Sequence, residues 1–144
     1  MLFRSEIKVG DLGEAVAVVP FHERDISGAL RFALDKAKNE NFLLIDADLR
    51  SPNDFEFSSF GMNKVSTNEL NAKLDTSSAY IGFDRYAENP GEFYVSDDYR
   101  KIFNSLDYDG KILIVTPPIN TLSGRLYDPF LASAFASEVI VFKQ

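Results

Sequence analysis

Phe42-Leu43-Leu44-Ile45-Asp46-Ala47-Asp48-Leu49-Arg50 is the stretch on which the fold turns. Its apolar side chains run without alternation and stop at two carboxylates. A strand wetted on one face alternates polar and apolar residues, so an unbroken run belongs to a strand covered on both faces, as in a parallel sheet. Similar runs, bounded by turn residues, stand at Ala15–Val19, Ala79–Phe83, Ile112–Val115 and Val139–Phe142. Helical periodicity fills the gaps between them. Ile26, Ala29, Leu30, Ala33, Leu34 and Ala37 fall on one helical face with Asp25 at the N-cap. Ser66 and Glu69 have capping-box spacing ahead of Leu70 and Leu74 and predict a short helix there. Ser96 caps a helix that carries Asp97 and Asp98 in its first turn and Tyr99, Ile102, Phe103 and Leu106 along one face. Asp128-Pro129 supplies an N-cap and first-turn proline for a last helix leading into the final strand. Leu49 to Val65, with its Ser-Pro, Asn-Asp and Ser-Ser pairs, reads as a loop holding at most a helical turn around Phe55 to Phe60. The expected fold is α/β and three-layered, a mostly parallel sheet of about five strands with helices on both faces.

Composition narrows the functional classes. The chain has 144 residues, which fits a single domain over 1–144, and 45% are hydrophobic, enough for a core of its own. Cysteine is absent, so disulfides and thiolate metal sites are excluded. No apolar run reaches the roughly 18 residues of a bilayer span and no signal-peptide pattern opens the sequence, so the expected location is the cytoplasm, without direct membrane insertion. A formal net charge of −7 argues against nucleic acid, whose binding needs clustered Lys and Arg.

In an open parallel sheet, ligands bind outside the carboxyl ends of the strands, so the residues that follow each run carry the chemistry. After the first run come Pro20, Phe21, His22, Glu23, Arg24 and Asp25. A phosphate cradle needs glycines that let successive N–H groups turn inward, a Lys for the β- and γ-phosphates, and a Ser or Thr for magnesium. This loop has none of them. Its carboxylates face the place where positive potential is required, opposed only by Arg24 and the start of the next helix. A triphosphate held in the usual way is not expected.

Leu43 to Arg50 resembles the second Walker motif of the bacterial tyrosine kinases and their relatives among the deviant-Walker ATPases, in which a hydrophobic strand leads into Asp-x-Asp. Further stretches match in the same order. Asn89-Pro90-Gly91-Glu92-Phe93 is similar to the family's Asn-Pro-x-Glu segment, Tyr99 to Phe103 to the helix after it, and Ile112 to Pro118 to its Walker B strand ending in Asp-Thr-Pro-Pro. The similarity covers most of Ala15 to Lys143 and implies a shortened P-loop-NTPase-like fold. It departs where chemistry is done: by count from Asp46, the Walker lysine and hydroxyl positions fall on Arg24 and Asp25, and the Walker B aspartate falls on Val115, ahead of Thr116. Asp46 and Asp48 remain, and by themselves they supply the octahedral shell of magnesium poorly. The tyrosine-rich tail of the family's kinases has no counterpart before Gln144, and only Phe3-Arg4-Ser5-Glu6 stands where those kinases have the helix through which they form rings, so neither autophosphorylation nor a ring is expected.

The resemblance therefore implies a catalytically inactive protein with no catalytic residue, no metal and no cofactor. It implies work by protein–protein contact in capsule or exopolysaccharide synthesis and export, with the cytoplasmic part of a polysaccharide co-polymerase as partner, at the inner membrane only through that partner, an oligomer being open. One alternative is a nucleotide sensor or ATPase that uses Arg24 with Asp46 and Asp48 to hold ATP and magnesium. Another is a spatial-organisation protein resembling the cell-division and plasmid-partition ATPases, which the acidic charge disfavours. Against these stand plainer readings: Asp46 and Asp48 as turn-forming carboxylates, Thr116-Pro117-Pro118 as a stiff strand exit, His22 as a solvated loop residue. Among Phe55, Phe57, Phe60, Tyr80, Tyr86, Phe93, Tyr94 and Tyr99, any left exposed would mark a protein contact.

Overall fold

The computed structural model describes residues 2–6, 15–49, 53–66, 79–83, 90–105, 111–120 and 127–144. Its elements in chain order are β1 (Leu2–Glu6), β2 (Ala15–Pro20), α1 (Ile26–Glu40), β3 (Phe42–Asp46), α2 (Asp54–Ser59), β4 (Asn63–Ser66), β5 (Ala79–Gly82), α3 (Pro90–Tyr94), α4 (Asp97–Ser105), β6 (Lys111–Val115), α5 (Asp128–Ala132) and β7 (Glu138–Phe142), with a 3-10 turn over Glu23–Asp25 between β2 and α1.

The strands form one seven-stranded sheet in the order β1-β7-β2-β6-β3-β5-β4. Every pairing is parallel except that of β1 with β7, which is antiparallel and lies at an edge. The runs picked out by their unbroken apolar character are strands, and their side chains separate by pleat into two cores. Val16, Val18, Phe42, Leu44, Leu113 and Val115 face a layer made by α1 and α2, with Ala29, Leu30, Ala33, Leu34, Ala37 and Phe57. Ala15, Ala17, Val19, Leu43, Ile45, Ile112 and Ile114 face α3, α4 and α5 through Phe93, Tyr94, Tyr99, Phe103 and Ala132. This is the three-layer arrangement the sequence predicts.

Two strands escape the periodicity argument. The segment read as a loop folds into α2 and then β4, whose Asn-Lys-Val-Ser carries too little apolar side chain to signal a strand. Phe57 anchors that turn against Tyr80 on β5, ring centroids 4.6 Å apart, and Gly61 supplies the positive φ (80°) that reverses the chain into β4. Phe3 to Glu6 are part of β1 and not a remnant of a helix. Ser66 is the last residue of β4, and the helix expected after it, with Glu69, Leu70 and Leu74, lies outside the described residues, as do Tyr86, Asn89, Leu106, Asp109 and Gly110.

Helix α1 ends at Asn41, whose left-handed backbone (φ 59°) returns its N–H to the Ala37 carbonyl, a conformation asparagine tolerates well. Ser96 opens α4 as expected, its Oγ accepting the Tyr99 N–H at 3.4 Å and donating to the Phe93 carbonyl at 2.6 Å. α5 begins at Asp128 with Pro129 in its first turn, and Tyr127 occupies the capping position one residue earlier than the sequence suggests.

Candidate functional site

The carboxyl ends of β2, β3 and β6 bring the sequence-selected residues to one region. Asp46 and Val115 are register partners at the ends of adjacent strands, and the chain leaving β2 passes beside them through Phe21 to Asp25. A phosphate-binding loop would arch away from the sheet here and point its N–H groups at the ligand. This chain instead stays in the sheet. Past the end of the regular pairing, the Thr116 N–H donates to the Val18 carbonyl at 3.2 Å, Ile119 to Pro20 at 2.9 Å and Asn120 to Phe21 at 2.9 Å, and His22 forms a further bridge with Asn120. Pro117 and Pro118, which have no N–H to donate, fill the bulge between these bonds.

The donors a phosphate would need are consequently all engaged. Phe21 N–H donates to the Phe142 carbonyl (2.8 Å), His22 to Asp25 Oδ2 (3.1 Å), Glu23 to the Asn120 carbonyl (3.2 Å), Arg24 to His22 Nδ1 (3.2 Å), Asp25 to the His22 carbonyl (2.8 Å) and Ile26 to the Glu23 carbonyl. His22 and Asp25 thus make a capping box around the 3-10 turn. The sequence assigns Asp25 to the N-cap of α1. The residue does stand there, but its side chain makes no cap bond to α1 because both carboxylate oxygens are engaged elsewhere, Oδ2 by His22 and Oδ1 by the Gln144 N–H at 3.1 Å. Asp25 is buried, so an anion belonging to the protein itself already occupies the N-terminal end of α1. Arg24 is exposed.

Asp46 has a structural occupation of its own. It is buried and accepts Asn53 N–H at 2.9 Å on Oδ2, with Asp48 N–H and Asn53 Nδ2 both at 3.2 Å on Oδ1. The carboxylate folds the strand exit back on itself, as a turn-forming aspartate does. Asp48 is also buried and acts on Tyr94, whose hydroxyl donates to the Ala47 carbonyl. Burial, then the neighbouring Tyr99 and Asp48, push the Tyr94 hydroxyl far above its usual titration range. Tyr99 is raised by burial alone and donates to the Ala132 carbonyl. Thr116 is buried with its Oγ1 donating to the Pro117 carbonyl at 3.0 Å, and Val115 packs in the α1-side core. Among the described residues no three His, Asp or Glu side chains converge in a way that could hold a metal ion. The described residues at these strand ends therefore do not fit a magnesium triphosphate.

Sequence reasoning missed the partners that close this region: Asn53, Asn120, Phe142 and Gln144. Three of them act through backbone groups, which no residue pattern announces. Asn53 follows Pro52 in the turn-rich stretch and is visible in the sequence only as part of a loop.

No family model matches the chain, and no curated protein matches it. Among solved structures, the crystal structure of the chimerical protein CapA2B2 superposes with a TM-score of 0.57 at 16% sequence identity, over 88% of this chain. The chain spans 60% of that protein's chain. The likeness shows the fold alone, an α/β arrangement around a mostly parallel sheet. Among the described residues no helix is long and apolar enough to cross a membrane.

Proposed function

We propose that this chain is a degenerate relative of the bacterial tyrosine kinase domain that binds no nucleotide and acts through protein contacts in capsule or exopolysaccharide export. One observation carries the proposal: every backbone N–H from Phe21 to Ile26 already has an acceptor within the protein. A phosphate entering here would have to break these bonds, among them the one from the His22 N–H to the buried Asp25 carboxylate, whose loss alone costs about 1–3 kcal/mol. The Asp25 carboxylate would oppose it as well. The rival reading, in which Arg24 with Asp46 and Asp48 holds ATP and magnesium, requires Asp46 to abandon Asn53 and the Asp48 N–H. The capsule and exopolysaccharide assignment rests on the ordered sequence matches at Leu43–Arg50, Asn89–Phe93 and Ile112–Pro118, and the fold likeness to CapA2B2 agrees with it.

Titration of MgATP and MgADP into the pure protein by calorimetry tests the first half. No binding heat is expected; micromolar binding that disappears in Asp46→Ala would overturn the reading. The second half predicts capture of the protein by the immobilised cytoplasmic part of a polysaccharide co-polymerase, unaffected by added nucleotide. Capture that requires ATP counts against it.

A further inference from the structure

We draw no further inference here: the strongest candidate, the surface patch of exposed cations Arg24, Arg31 and Lys38 along α1 and the turn before it, carries nothing because nothing in the structure shows what covers it.

Discussion

Replacing Asp25 by alanine probes the assignment of this carboxylate as a resident anion. Asp25 is 1% exposed and accepts N–H bonds from His22 and Gln144, both at 3.1 Å, so alanine leaves two donors without acceptors. A buried donor left unsatisfied costs about 1–3 kcal/mol. The His22 N–H is half-buried and Gln144 is exposed and can recruit water, so both shares fall toward the low end, giving about 2–3 kcal/mol in total. For a chain of this size that loss lowers Tm by about 6–12 °C. Asparagine is no rescue, because its amide offers one acceptor and presents an N–H₂ to the second donor. Differential scanning calorimetry and urea unfolding of wild type, Asp25→Ala and Asp25→Asn measure the effect, with Asp35→Ala on the exposed side of α1 as a control expected within about 0.5 kcal/mol of wild type. Nucleotide affinity should not appear in either Asp25 variant, since Phe21 and Glu23 keep their carbonyl partners. An Asp25→Ala protein as stable as wild type, or one that gains MgATP binding, would refute the reasoning.

Val115→Asp sets a second buried carboxylate beside Asp46 in register on the same sheet face; a loss of about 3 kcal/mol or more and no ATPase activity are expected from unfolding and phosphate-release assays. Gly28→Ala should lower Tm despite alanine's helical preference, because its Cβ would lie 2.6 Å from the Phe142 ring and from Gln144 Nε2, an overpacking worth about 1–3 kcal/mol. Tyr94 and Tyr99 stay protonated while folded and ionise near 10 once unfolded, so stability is intact below that pH and falls above it, by up to about 2.7 kcal/mol per pH unit for the pair. Denaturant midpoints taken across the alkaline range should fall more steeply for wild type than for the Tyr94→Phe, Tyr99→Phe double variant.

The fold was legible where burial on both faces forces unbroken apolar runs. Leu43 and Ile45 serve one core while Phe42 and Leu44 serve the other, and neither set leaves a polar gap. It was illegible at β4, where an edge strand of polar residues needs neither face covered, and at β1, which adds antiparallel pairing to an otherwise parallel sheet. At the candidate site Arg24, Asp25 and Val115 were visible as residue types. The closing of the loop was not, because its hydrogen bonds run between main-chain groups of Phe21, Glu23, Asn120 and Phe142, positions far apart in sequence whose side chains have no part in them. The two buried carboxylates were visible as a pair, but nothing in Asp46-Ala47-Asp48 says that Asn53 will claim the first.

The bridge between His22 and Asn120 bears on any attempt to convert this scaffold into a working nucleotide enzyme. Point substitutions alter side chains, whereas the obstruction is a seam of peptide groups that zips the chain after β2 to the chain after β6. Lysine at 24, serine at 25 and aspartate at 115 would together give the right letters on a backbone whose N–H groups from Phe21 to Ile26 are already engaged. Reopening the seam calls for added chain length, glycine-rich residues inserted between Pro20 and Glu23 so that the segment can lift out of the plane of the sheet. Mutational tolerance should follow the same logic: insertions here would cost more than most exchanges of side chain, the reverse of what is usual for a surface loop.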